Sequence, residues 1–196
     1  MKHWKRWICI LLIICGAIGI GVVLNEIWIR LEYAAYPKEY DEYVEQYATE
    51  YQIPREIVWA IIKVESDFDP RARSSVGAMG LMQMMPSTFD WLTSDEHLGE
   101  HLPANSLYTP EVSIRYGVYY LHYLYEKFEN WETVFAAYNG GEGNVSKWLA
   151  DPQYGDGSGG LTKIPFDETR SYVKKVNEAR DMYKKIYFDE KEGTPS

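Results

Sequence analysis

Apolar and polar positions along this chain fall into one long apolar stretch followed by a series of amphipathic segments. Ile8 to Leu24 carries no charge; Lys2, Lys5 and Arg6 stand just before it, and Trp4, Trp7 and Trp28 lie near its two ends. At roughly 1.5 Å per residue, a helix extended through Ile29 covers a hydrocarbon core of about 30 Å, which predicts a membrane span with its basic end inside. A cleaved signal peptide is the competing reading, because Ala17-Ile18-Gly19 is similar to a small-x-small cleavage site. The apolar run is longer than a usual signal core and favours an anchor.

Helical spacing recurs after the span. Tyr36, Tyr40, Tyr43, Val44 and Tyr47 predict an amphipathic helix beginning just after Pro37. Ile57, Ile61 and Val64 predict another, with Pro54 suited to its first turn and the Pro70–Gly80 region breaking it. Gly80 to Trp91 holds a short helix interrupted at Pro86. Ile114, Val118, Leu121, Tyr125 and Phe128 mark one face of a long helix from Glu111 to Phe128; Trp131 to Tyr138 gives the next, stopped by Gly140-Gly141, and Asn144 to Leu149 a shorter one. Asp151 to Gly160 reads as a flexible loop, and Asp167 as the N-cap of a last helix carrying Tyr172, Val176, Ala179, Tyr183 and Ile186. No alternating strand pattern competes and no internal repeat is visible. The expected architecture is all-α: a basic segment and anchor over 1–29, a juxtamembrane linker over 30–39, one helical domain over 40–187 and a disordered tail over 188–196.

Composition narrows the function. The chain has 196 residues, 46% of them hydrophobic, enough for one good core. Asp plus Glu number 29 against 20 Lys plus Arg, and a net charge of −9 argues against a nucleic-acid partner, which requires a cationic footprint. Lys2, Lys5 and Arg6 all precede the domain, which is therefore more acidic still. The two cysteines, Cys9 and Cys15, both lie in the apolar run, so neither a disulfide framework nor a Cys-rich zinc site holds the fold.

One carboxylate is out of place. On a helical wheel at about 100° per residue with Ile57 at zero, Glu65 falls at about 80°, between Ile61 and Val58 in the apolar arc. A carboxyl there is partly desolvated and holds its proton to higher pH, as general-acid cleavage of an acetal requires. The plainer reading is a helix-terminal glutamate paired with Arg71 or Arg73. Ordinary glycosidases use two carboxyl groups about 5–10 Å apart. No second one is well placed: Asp67 points another way, and Asp69 precedes Pro70, which disfavours continuing the helix beneath Glu65. Asp67-Phe68-Asp69 lacks the later Gly and Glu of a calcium loop and reads as turn capping.

Four motifs then occur in order: Glu65-Ser66; Gly77-Ala78-Met79-Gly80-Leu81-Met82-Gln83 with Pro86; Ala136-Ala137-Tyr138-Asn139-Gly140-Gly141; and Ile164-Pro165-Phe166-Asp167-Glu168-Thr169-Arg170 with Tyr172. Together they closely resemble the soluble lytic transglycosylase domain, a goose-type lysozyme-like fold, over roughly Tyr40 to Tyr187. The resemblance implies a cofactor-free enzyme that cuts the β-1,4 bond between N-acetylmuramic acid and N-acetylglucosamine in peptidoglycan without adding water. It implies that Glu65 protonates the leaving oxygen, that the muramyl N-acetyl group assists at the anomeric carbon, and that Glu65 then takes the C6 hydroxyl proton as a 1,6-anhydro ring closes. The substrate would thus supply what a second carboxylate supplies elsewhere.

By the same resemblance, Ser74 and Gln83 surround the reacting sugar, Tyr138 lies close to the catalytic acid, Asn139 belongs to the same motif, and Glu168 and Tyr172 line the groove. Met82 and Met85 would form its apolar wall. Each has a plainer role open to it: Gln83 capping a turn, the methionines filling core, and Tyr138-Asn139 ending a helix.

Three other readings stand beside this one. His97-Leu98-Gly99-Glu100-His101 spells the H-x-x-E-H zinc pattern, with Glu168 as a conceivable third ligand. That pattern needs a helix to converge both imidazoles, and Gly99 with Pro103 predicts a surface loop instead. An inactive glycan-binding module shares the composition, with Glu65 in its apolar arc as the argument against it. Water could also replace the C6 hydroxyl at the same glutamate and give a muramidase. The expected partners are glycan strands and, through the N-terminal helix, the membrane; the expected location is a single-pass protein with its domain outside the cytoplasm, or secreted after cleavage.

Overall fold

The computed structural model describes residues 2–189, apart from the side chains of residues 2, 3, 5 and 9, and divides the chain into two units between Pro37 and Lys38. The first unit is one helix, α1 (Lys2–Ala35). Its stretch Arg6–Ala35 is long and apolar enough to cross a membrane, by length and composition. Its large side chains, among them Trp7, Leu11, Ile14, Leu24 and Trp28, are mostly exposed.

The second unit is a layered set of helices: α2 (Asp41–Glu50), α3 (Arg55–Ser66), α4 (Pro86–Thr93), α5 (Pro110–Phe128), α6 (Trp131–Gly140), α7 (Glu142–Ala150) and α8 (Asp167–Tyr183). Among the described residues the only extended pairings are isolated bridges, such as Met79 with Arg73 and Met84. At the centre is α3, where all six residues from Ile57 to Ile62 are buried. A helix apolar nearly all round has no solvent face to offer and takes the middle of the core. α8 is its most extensive neighbour and runs antiparallel to it: Trp59 stacks on Tyr183 with ring centroids 6.2 Å apart, and Lys184 reaches Glu56 at 3.7 Å. The C-terminal end of α3, with Glu65, therefore meets the N-terminal end of α8, with Tyr172.

Several expectations are revised. Pro86 starts α4 rather than interrupting it, because a first-turn proline gives up an N–H that has no intrahelical partner. Asp167 lies inside the first turn of α8 without capping it and pairs with Arg170. A short 3-10 turn, Ala104–Tyr108, buries Leu107 where no helix was expected. The segment 151–160 is folded on itself: the Asp156 side chain accepts from the Ser158 and Gly160 amides at 2.7 and 3.0 Å, and Thr133 donates to the Gly159 carbonyl at 3.0 Å. Phe188, assigned above to the tail, belongs to a π-helical turn (Lys184–Phe188) and stacks on Trp59 at 6.1 Å. The rest of the expected tail, 190–196, lies outside the described residues.

Candidate active site

Glu65 sits one turn from a sharp exit. Asp67 and Phe68 follow α3 with φ of 50° and 67°, a left-handed pair that costs of order 1–3 kcal/mol per residue and persists only where packing holds it. Burial of the Phe68 ring supplies part of that packing. The chain then forms the loop 69–85, which three hydroxyls pin to three helices. Ser66 Oγ on α3 donates to the Leu81 carbonyl at 2.8 Å; the Met82 amide donates to Ser113 Oγ on α5 at 3.2 Å; and Tyr138 Oη on α6 donates to the Met82 carbonyl at 2.8 Å. Each such bond contributes about 0.5–1.5 kcal/mol net. Their joint effect is to fix Leu81-Met82 beside the end of α3.

Two close approaches make the arrangement possible. Gly80 has φ of 76°, and a Cβ there would lie 2.0 Å from the Leu107 carbonyl oxygen. A Cβ on Gly117 of α5 would lie 2.2 Å from Met82 Sδ.

The Glu65 carboxyl is strongly desolvated, and this pushes its pKa from 4.5 up to about 7. Tyr172 opposes the rise. Its hydroxyl stands near enough to favour the carboxylate, although it is buried without a hydrogen bond of full geometry. The Tyr138 and Tyr172 hydroxyls are in turn held far from ionisation, first by burial and then by the charge of Glu65. Both phenols therefore stay neutral beside the carboxyl. Arg71 and Arg73 are exposed, and among the described residues neither pairs with Glu65. No second carboxylate contributes to its shift.

Next to this group is a cleft of about 140 Å³ lined by Gln83, Met84, Met85, Thr88, Tyr120, Tyr138, Asn139 and Gly141. Tyr138 links the two, lining the cleft while sensing Glu65. Of the residues singled out in the sequence, the structure brings together Glu65, Tyr138 and Tyr172, and it places Gln83, Met85 and Asn139 on the cleft.

Met82 is a correction: its side chain is fully buried against Gly117, so Met82 takes part through its backbone and the apolar wall is Met85 with Met84. Gln83 has φ of 45°, and its Nε2 is spent on the Ala72 and Gly80 carbonyls at 3.1 and 2.9 Å. Ser74 Oγ accepts from the Ala78 amide at 3.0 Å and closes the loop. Glu168 is exposed in the first turn of α8, one turn before Tyr172. Neither Ser74 nor Glu168 lines the cleft. Tyr120 and Thr88 were missed. The signal for Tyr120 lies in a tyrosine-rich stretch, Tyr116, Tyr119, Tyr120 and Tyr123, on a face of the helix apart from the stripe of Ile114, Val118 and Leu121.

The H-x-x-E-H residues fall in the turn after α4, with Gly99 and His101 at φ of 67° and 48°. His97 Nδ1 is 3.1 Å from the Tyr119 hydroxyl and His101 Nε2 2.9 Å from Asp95. Glu100 takes the Tyr116 hydroxyl at 2.9 Å and pairs with Arg115 at 2.8 Å. These three side chains serve four different partners rather than one centre.

Comparison with known proteins gives the family. The transglycosylase SLT domain profile matches residues 42–158, more than half of the chain. The chain belongs to the transglycosylase SLT domain family. Its relatives in this family include the soluble lytic murein transglycosylase of Escherichia coli strain K12, 35% identical over 87% of this chain and 26% of that protein. They also include the membrane-bound lytic murein transglycosylase C of Edwardsiella ictaluri, 31% identical over 76% of this chain and 47% of that protein. The crystal structure of the 70-kDa soluble lytic transglycosylase of Escherichia coli superposes with a TM-score of 0.73 at 34% identity, covering 81% of this chain and 26% of that one. An inactive Glu-to-Gln mutant of lytic transglycosylase Slt from Pseudomonas aeruginosa superposes with a TM-score of 0.68 at 34% identity, over 76% and 24%. The SLT-family fold is thus a helical, lysozyme-like domain, and this chain spans about a quarter of the length of the soluble relatives it matches.

Proposed function

We propose that this chain is a membrane-anchored peptidoglycan lytic transglycosylase that cleaves the β-1,4 bond between N-acetylmuramic acid and N-acetylglucosamine, with Glu65 as its general acid and base. One observation carries the reading: a desolvated carboxyl, with its pKa raised to about 7 and two neutral phenols near it, beside a cleft that Tyr138 shares with Gln83, Met85 and Asn139. Glu65 protonates the glycosidic oxygen as the C1–O bond breaks, and the muramyl N-acetyl oxygen bonds to C1. The resulting Glu65 carboxylate takes the proton of the C6 hydroxyl, and O6 displaces the N-acetyl oxygen from C1 to close the 1,6-anhydro ring. The leaving group keeps the first proton, the C6 hydroxyl proton restores the Glu65 acid, and no water is consumed.

Tyr172 serves as a positioning residue that steadies the carboxylate between these two proton transfers. Tyr138 holds the loop through Met82 and borders the bound sugar, with Gln83, Met85 and Asn139 completing the wall; Ser74 and Glu168 act at the loop and at the outer end of α8. Support for anchoring comes from the length and apolarity of α1, from the basic residues at its start, and from a membrane-bound lytic transglycosylase among the relatives. The domain then lies outside the cytoplasm, where glycan strands are found.

The test is release of soluble material from purified sacculi by the full chain in detergent. Glu65→Gln keeps the volume and loses the acidic proton, so its rate is expected to fall by about 10²–10⁴. Sacculus solubilisation at the wild-type rate by folded Glu65→Gln would overturn the assignment.

A further inference from the structure

The cleft at Tyr138 does not end at Thr88. An adjoining trough is lined by Ser87, Thr88, Trp91, Tyr120, Gly141, Glu142 and Gly143 and shares Thr88, Tyr120 and Gly141 with the cleft, so the two are continuous. One wall is α4. Ser87 and Thr88 lie four and three residues before Trp91 and share its face of the helix. The other wall is mostly backbone: a Cβ built on Gly141 or Gly143 would meet nothing within 4 Å. Gly141 is held at φ of 84°, a conformation that favours glycine, and with no side chain at either position that wall is low and the trough open.

Trp91 is held rather than loose. Its ring makes edge contacts with His97 at 4.1 Å and with Tyr123 at 5.0 Å. His97 is itself tied to Tyr119, and Tyr123 stacks on Tyr120, the floor of the trough, at 6.3 Å and 10°. The indole nevertheless remains partly exposed on the trough side. Beside it stand the hydroxyls of Ser87 and Thr88 and the carboxylate of Glu142, which is oriented by Lys127 at 3.1 Å.

A pyranose has an apolar C–H face and a rim of hydroxyls; a fixed aromatic plane flanked by hydroxyl and carboxylate groups is complementary to both. We propose that Trp91 forms an outer saccharide subsite, which binds a sugar of the glycan strand beyond those held at Tyr138. The His97 imidazole is its prop, which gives the H-x-x-E-H segment a structural role in substrate binding. This inference rests on the function proposed above.

The experiment measures binding by the full chain in detergent, in the Glu65→Gln background so that nothing is cleaved. The probes are peptide-free glycan strands of about eight sugars and a tetrasaccharide of the same alternating sugars. Loss of one aromatic platform is expected to weaken the long strands about tenfold in Trp91→Ala, while Trp91→Phe retains most of the affinity. Tetrasaccharide binding is expected to change less than about twofold. Glu142→Ala, on the rim and away from the core, is expected to weaken the long strands about threefold and carries the same test if Trp91→Ala does not fold. Equal losses on both probes or no loss on either would overturn the subsite. If long strands bind with Trp91 intact and binding is independent of it, the subsite alone fails; if no strand binds at all, the proposed function fails with it.

Discussion

Glu65 has two consequences that can be measured separately. Burial favours its protonated form, so between pH 4.5 and about 7 the folded domain keeps a proton that the unfolded chain has released. Stability therefore falls as pH rises through that window, by up to about 3 kcal/mol once the carboxyl is ionised in both states. Glu65→Gln removes this titration: its thermal midpoint is expected to match wild type near pH 4.5 and to exceed it progressively towards pH 8, and a gap that did not change with pH would contradict the burial argument. The rate should fall above about pH 7 as the acid is lost. Tyr172→Phe deletes the hydroxyl that favours the carboxylate, so the alkaline limb of the pH–rate profile is expected to move to higher pH, and an unmoved limb would make Tyr172 packing alone. At this scale the sequence was informative about which carboxyl is desolvated, because an apolar arc can be read from spacing. It was silent on partners. Gln83 and Ser74 were expected around the sugar, yet Gln83 turns its Nε2 to the Ala72 and Gly80 carbonyls and Ser74 accepts from the Ala78 amide, partners set by the path of the loop, which spacing alone does not reveal.

Among the elements, helices with a clear apolar stripe were legible, since the stripe both forms the helix and buries it. What escaped were segments ordered by a few specific bonds. Asp156 organises a glycine-rich stretch whose composition suggests mobility, and the 3-10 turn at Ala104–Tyr108 exists to place Leu107 against Gly80. That contact yields a prediction. Gly80→Ala puts a methyl into the Leu107 carbonyl at a left-handed φ, and a backbone oxygen cannot swing aside as a side-chain end can. A destabilisation of more than about 2 kcal/mol is expected, with loss of activity, because Leu81-Met82 and the end of α3 move together; chemical denaturation midpoints check it. A near-neutral Gly80→Ala would mean that the loop is not pinned as described.

For the whole molecule, the acidic helical domain and the apolar α1 are separate units, to which the proposed function gives separate tasks, catalysis and tethering. Full-length protein is expected to sediment with membranes and to leave them only in detergent; a mature protein that begins near Gly19 or Ile20 by N-terminal sequencing would show secretion instead. Membership of the transglycosylase family is carried by the domain, and the proposed chemistry by one carboxyl working with its substrate. The product decides that chemistry. Mass spectrometry of the muropeptides released from sacculi is expected to show anhydromuramyl ends, one water lighter than their hydrolysed counterparts, from the wild-type chain and none from Glu65→Gln. Hydrolysed reducing ends as the only product would contradict ring closure by the C6 hydroxyl at Glu65.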